Sequence, residues 1–154
     1  MNKEIERKFL VINAEWENLV NKKYAIKQAY LNSSEELTTR IRTKGEKAFI
    51  TIKGKTKGIS RAEFEYKIPY EDALGLLKLC KNSIIEKTRY EVKIENHIWE
   101  IDVFEGDNLG LIVAEIELSS EEEHFKKPNW LGKEVSYEAK YFNACLSEKP
   151  FLEW

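Results

Sequence analysis

Alternation with a period of two constrains this chain more than any other feature, and it begins at once, in Glu4-Ile5-Glu6-Arg7-Lys8-Phe9-Leu10-Val11. A β-strand sends successive side chains to opposite faces, so Glu4, Glu6 and Lys8 share one side. The same parity recurs at Arg40 and Arg42, at Glu63, Glu65 and Lys67, at Lys87 and Arg89, at Glu100 and Asp102, and at Glu115 and Glu117. One such pair alone reads as the wet face of a half-buried strand. Repetition in strand after strand, with acids and bases in separate blocks, points instead to a sheet lined with charge. If such strands close into a barrel with the charge inward, like charges destabilise one another unless a counter-ion or ligand sits among them. Metal cations would suit the carboxylates, and a polyanion would suit the arginines and lysines.

The pattern along the chain predicts strands over about 3–12, 24–32, 37–44, 47–54, 60–68, 84–95, 97–104 and 111–119. Gly45-Glu46 and the stretch from Gly54 to Gly58 read as turns. Lys55 and Lys57 in the second turn suit either a solvated hairpin tip or a substrate-greeting loop. Asn13 is placed to cap a short helix carrying Trp16, Leu19 and Val20. Ala73, Leu76, Leu77 and Cys80 recur at helical spacing within 71–81. Ser119 or Ser120 reads as another cap, with Glu121 to Glu123 in the first turn. A last helix over about 137–147 would put Tyr141, Ala144 and Cys145 on one apolar side and let Lys140 reach a tunnel mouth. A barrel with a charged lumen has an apolar exterior, and these helices would cover it.

At 154 residues and 42% hydrophobic content the chain can bury one sizeable core, and 1–154 reads as a single domain. A net charge of −2 argues against non-specific nucleic-acid binding by the surface as a whole. No apolar run reaches the roughly 20 residues of a membrane helix, and the start lacks the basic and apolar regions of a signal peptide, so a cytoplasmic protein is expected. An outer-membrane barrel also alternates, but Arg7 and Lys27 put charge on the outward parity and helical segments interrupt the strands. Cys80 and Cys145 lack zinc-ligand spacing and read as buried thiols, while His97 and His124 read as surface residues outside any motif.

The opening Glu4-x-Glu6-x-Lys8 is similar to the signature of the CYTH superfamily, the triphosphate tunnel metalloenzymes. Thr39-Arg40-Ile41-Arg42, Thr51-Ile52-Lys53-Gly54, Glu63-Phe64-Glu65, Lys87-Thr88-Arg89-Tyr90, Ile101-Asp102-Val103-Phe104 and Ala114-Glu115-Ile116-Glu117-Leu118 follow in that family's order, and Pro128 to Val135 looks like a late motif of it. The resemblance implies an α+β fold: an antiparallel eight-stranded β-barrel whose charged lumen is the triphosphate tunnel, with helices packed outside. It implies a cradle of Lys8, Arg40, Arg42, Lys53, Lys87 and Arg89 that binds the triphosphate and carries the catalytic role, guanidinium groups meeting phosphate oxygens bidentately. It also implies divalent metal, Mg²⁺ or Mn²⁺, with two ions in the loaded site, held by Glu4, Glu6, Glu63, Glu65, Glu115 and Glu117, with Asp102 as a deeper acid. Tyr30 and Lys67 share the inward parity, with a structural role as the simpler assignment.

The shared motifs fix the triphosphate handle and leave the rest of the substrate open. The compact chain is most similar to small bacterial members that cleave inorganic tripolyphosphate to pyrophosphate and phosphate, and that is the expected activity. Two alternatives stand beside it: a nucleoside triphosphate enzyme, hydrolysing ATP or cyclising it to cyclic AMP as the class IV adenylate cyclases do, and a non-catalytic module holding polyphosphate or an RNA 5′-triphosphate. The expected partner is a small-molecule triphosphate, and a homodimer is left open.

Overall fold

The computed structural model describes residues 2–154. Eight strands form the barrel: β1 (Lys3–Val11), β2 (Val20–Ser33), β3 (Leu37–Lys44), β4 (Lys47–Gly54), β5 (Ser60–Ile68), β6 (Ile85–Ile94), β7 (His97–Phe104) and β8 (Ile112–Glu117). Their hydrogen-bonded order is β5-β4-β3-β2-β6-β7-β8-β1, and β1 pairs back onto β5, so the sheet closes with every pairing antiparallel. Closure uses only Lys3 to Ile5 of β1. A ninth strand, β9 (Leu131–Glu134), takes the same edge of β1 further along, with Phe9 opposite Glu134 and Val11 opposite Leu131. Gly132 makes that approach possible, because a Cβ there would stand 2.6 Å from Ile12 Cγ2 and 3.0 Å from the Leu10 carbonyl oxygen.

Outward residues of β1, β7 and β8 make the largest apolar cluster, in which Phe9, Trp99, Ile101, Ala114 and Ile116 are almost wholly buried. Its cover is not helical in the expected sense. Trp16, from a five-residue 3-10 turn (Glu15–Leu19), packs on one side, and Phe125 and Trp130, from the chain after β8, pack on the other. Asn13 begins that turn by accepting a hydrogen bond from the Glu15 N–H at 2.9 Å, but Val20 already belongs to β2. The helix expected after Ser119 or Ser120 does not form. Glu123 reaches back to the Ser119 N–H at 2.6 Å as a cap would, yet Phe125 is the one apolar residue between Leu118 and Pro128, too few for an apolar stripe.

Helix α1 (Tyr70–Leu77) covers a second outer cluster, laying Ala73 and Leu77 on Ala29, Ile41 and Ala48. The last helix is much shorter than the periodicity suggests. A 3-10 turn (Ala139–Tyr141) leads to α2 (Asn143–Glu148), and Lys140 stacks over Trp154 at 4.4 Å instead of reaching the tunnel. From α2, Leu146 enters a third cluster with Tyr30, Ile85, Phe104 and Val113, which face inward, so one part of the lumen is filled with hydrocarbon and the rest is polar. Cys80 and Cys145 are free and half-buried. His97 is also half-buried, bonded to Glu123 and edge-on to Phe125.

Candidate functional site

The polar part of the lumen encloses a cavity of about 730 Å³. Lys8, Arg40, Arg42, Lys53, Lys87 and Arg89 all line it, brought together from β1, β3, β4 and β6 by the inward parity of each strand. Glu4, Glu6, Glu63, Glu65, Glu115 and Glu117 line it from β1, β5 and β8. Lys55 sits at its rim, 3.4 Å from Glu36. Lys67 is exposed outside it, whereas Tyr30 lines it and also joins the apolar cluster.

Asp102 is different in kind, because it is fully buried beneath the cavity wall. Both of its oxygens accept from Arg89, at 2.8 Å from Nε and 2.9 Å from Nη2, and Lys87 Nζ lies 2.8 Å from the second. Burial opposes the charge on Asp102, but the Arg89 and Lys87 cations outweigh it and keep the carboxyl below its usual range.

The other charges of the lumen pair with one another. Lys53 Nζ meets Glu4 at 3.0 Å and Glu63 at 3.3 Å, and Arg61 Nε meets Glu4 at 3.4 Å. Arg40 Nη2 donates to Thr51 Oγ1 at 3.1 Å and stands 3.5 Å from Glu65, while its buried Nε has no partner among the described residues. Lys8 and Arg89 each lie 3.8 Å from Glu115, and Arg89 reaches Glu100 at 3.3 Å. Arg61 and Glu100, absent from the sequence-based site, were visible in it as members of the same parity runs. Gln28, Thr51 and Asn143 carry no charge and left no such signal.

These pairings split the carboxylates into two populations. Burial raises the Glu4 carboxyl, but Lys53 and Arg61 pull it down to about 2. Glu115 is likewise held well below its usual range by Lys8 and Arg89 against the cost of burial. Glu6 is pushed well above the range by burial and by the Glu115 and Glu4 charges, and Glu63 rises to about 7 through burial and its hydrogen bond with Glu4. Glu117 is raised by burial and by Glu4 and Glu100. Among the cations, burial lowers Arg42 to about 9, with Arg40 and Arg89 adding repulsion, and lowers Lys87 to about 7 against the pull of Asp102.

An excess of buried carboxylate that must hold protons is what a hard divalent cation relieves, since such ions take oxygen ligands and bind the deprotonated form. The donor set therefore fits Mg²⁺ or Mn²⁺ in chemistry. Among the described residues no three of these carboxylates are gathered as a ready metal cage, because the lysines and arginines hold Glu4, Glu65 and Glu115 aside.

The sequence profile of the CYTH domain matches residues 2–144. The chain belongs to the CYTH domain family. Among its relatives, this CYTH protein is 41% identical to an inorganic triphosphatase of Acetivibrio thermocellus, over 98% of this chain and 97% of that one. An inorganic triphosphatase of Nitrosomonas europaea is 34% identical, over 94% and 96%. A crystal structure of an inorganic triphosphatase superposes with a TM-score of 0.67 at 31% identity, covering 94% of this chain and 93% of the other. The eight-stranded closed barrel with two helices outside is thus the CYTH tunnel fold expected from the sequence.

Proposed function

We propose that this CYTH protein is a divalent-metal-dependent hydrolase that cleaves inorganic triphosphate to pyrophosphate and phosphate inside its barrel. The observation that carries the reading is the pairing of the two charge sets in one cavity, six cations facing six carboxylates, in a chain whose relatives over nearly full length are inorganic triphosphatases. Lys8, Arg40, Arg42, Lys53, Lys87 and Arg89 form the phosphate cradle. They bind and orient the chain of phosphates so that water can attack a terminal phosphorus in line with the bridging oxygen. One P–O bond forms from that water, one anhydride P–O bond breaks, and pyrophosphate departs.

Glu4, Glu6, Glu63, Glu65, Glu115 and Glu117 hold the ions, with Mg²⁺ or Mn²⁺ as the fitting elements and two ions as the expected load. When bound, such ions supply charge neutralisation on the phosphate oxygens and acidify a water. Asp102, both oxygens taken by Arg89 and Lys87, serves as the buried counter-charge that orients these two cations, in place of the ligand role that the sequence suggested. No described helix is long and apolar enough to cross a membrane.

The deciding experiment measures phosphate and pyrophosphate release from tripolyphosphate beside ATP, each with Mg²⁺, Mn²⁺ or EDTA, with cyclic AMP assayed in the ATP reactions. Fast metal-dependent cleavage of tripolyphosphate with slow ATP turnover is expected. Preference for ATP, or formation of cyclic AMP, overturns the substrate; binding of tripolyphosphate without turnover overturns the enzyme.

A further inference from the structure

Among the described residues, five of the six cradle cations lie within ion-pair distance of a carboxylate, and the exception is Arg42. Its Nε donates at 3.1 Å to Gln28 Oε1. Gln28 is completely buried, and its Nε2 donates at 3.1 Å to Asn143 Oδ1. The same Asn143 oxygen accepts from Lys87 Nζ at 3.0 Å. A continuous chain of side chains thus runs from Arg42 through two amides to Lys87.

We propose that Gln28 and Asn143 are positioning residues, an amide relay that fixes Arg42 and Lys87 for the triphosphate and ties their placement to helix α2. The polarity of the relay follows from its ends. Guanidinium and ammonium groups only donate, so an amide oxygen must face each of them, and the link between the amides is the one from the Gln28 nitrogen to the Asn143 oxygen. Neutral partners matter here. A carboxylate beside Arg42 would hold it equally well but would have to be displaced by the incoming polyanion, whereas an amide satisfies one N–H and leaves the positive charge uncompensated. Arg42 and Lys87 repel each other and are both weakened as cations by burial, so each needs an anchor to stay at the wall.

Asn143 comes from outside the barrel, and the chain around it is pinned. Leu146 is wholly buried among Tyr30, Ile85 and Phe104, Ser147 Oγ donates to the Ser83 carbonyl at 2.8 Å, and the Phe151 N–H donates to the buried Asn108 Oδ1 at 2.8 Å. The C-terminal segment thereby sets the position of an acceptor inside the tunnel.

This inference rests on the triphosphate reading, and its test separates the two. The affinity for tripolyphosphate in EDTA is measured for the wild type, Asn143→Ala, Gln28→Met, Lys87→Met and the Asn143→Ala/Lys87→Met double variant, with thermal melts of each. Asn143→Ala and Gln28→Met should each raise Kd by about 10- to 100-fold, the size of a hydrogen bond to a charged group. Asn143→Ala should add only part of that penalty once Lys87 is Met, because its bond to Lys87 is then already gone and only its link through Gln28 to Arg42 remains. In metal-dependent turnover Asn143→Ala and Gln28→Met should raise KM with kcat within about three-fold, whereas a variant that merely unfolds part of the sample lowers kcat at unchanged KM. Wild-type binding with both single variants inside two-fold, or an Asn143→Ala penalty that persists in full beside Lys87→Met, overturns the relay alone. A wild type that neither binds nor cleaves tripolyphosphate overturns the triphosphate reading and the relay with it.

Discussion

Replacing Asp102 with Asn removes one charge, keeps the shape, and separates a counter-charge from a metal ligand. The carboxylate is fully buried and accepts from Arg89 twice and from Lys87 once, all within 2.9 Å. Removing one partner of such a buried pair costs about 3–5 kcal/mol, because the remaining charges are left uncompensated. Two features set the expectation at the low end. Arg89 keeps Glu100 at 3.3 Å and Glu115 at 3.8 Å. Lys87, already lowered to about 7 by burial against the pull of Asp102, would lose its proton sooner than remain an isolated buried ammonium.

About 3 kcal/mol in a chain of this length corresponds to a fall of about 6–12 °C in Tm. Scanning calorimetry in EDTA reads that fall directly. Tripolyphosphate should then raise the Tm of the variant by more than it raises that of the wild type, since a polyanion supplies the missing negative charge. An unchanged Tm together with a lost response to Mg²⁺ or Mn²⁺ refutes the argument and makes Asp102 a ligand.

Glu117→Gln should lower metal-dependent cleavage of tripolyphosphate by on the order of 100-fold while leaving metal-free tripolyphosphate binding within a few-fold, as kinetics and calorimetry would read. Trp99, wholly buried and edge-on to Phe9, Phe125 and Trp130, should cost about 3–5 kcal/mol as Trp99→Ala in denaturant unfolding, and a smaller loss would place the apolar core elsewhere. Arg7 donates to Glu134 at 2.9 and 2.6 Å, and that bond holds the Glu134 carboxyl below its usual range. A lowered folded value means stability that is present above the unfolded value of about 4.3 and is lost as pH falls through the folded one. Glu134→Gln should therefore remove about 1 kcal/mol at pH 7 and flatten the acid limb, as urea titrations across pH 2–6 would show.

The barrel was legible because its chemistry is inverted. In an ordinary barrel the inward face is apolar and the charged face is turned to water, but here the inward face carries the charge, so Glu4-Glu6-Lys8 or Arg40-Arg42 marks both a strand and its inward side. Glu100 and Arg61 lie on the same inward parity but outside the motifs shared with the family. Other parts followed no periodic signal. Strand β9 is only four residues long and exists because β1 outruns β5 and leaves an edge open, which is a tertiary fact. The helix start expected at Ser119 or Ser120 caps nothing, because the residues after it lack an apolar stripe and run instead as cover for Trp99, with Glu123 accepting from the Ser119 N–H. Asn143 and Gln28 carry no charge, and their meaning arises only when α2 meets the lumen.

Electrostatic balance in the lumen makes one more outcome follow with a sign that simple intuition reverses. Most of the cradle cations are paired within the lumen, with Glu4 holding Lys53 and Arg61 and Glu115 holding Lys8 and Arg89. A polyanion arriving alone must strip these cations from their carboxylates and leave the acids buried and unpaired, and a metal ion arriving alone must do the converse to the cations. Together they satisfy both sets. Glu4→Gln should thus abolish metal-dependent turnover and yet tighten metal-free tripolyphosphate binding, because Lys53 then has only Glu63 to surrender and Arg61 has lost its carboxylate partner. The shift of the Glu4 carboxyl from 4.5 to about 2 represents roughly 3 kcal/mol of interaction, and recovering part of it gives roughly a ten-fold gain in affinity. Titration calorimetry in EDTA reads the result. Weaker metal-free binding by the variant would mean that Glu4 orients Lys53 for the phosphate more than it competes with it, and the exchange of partners would then not be how the site loads.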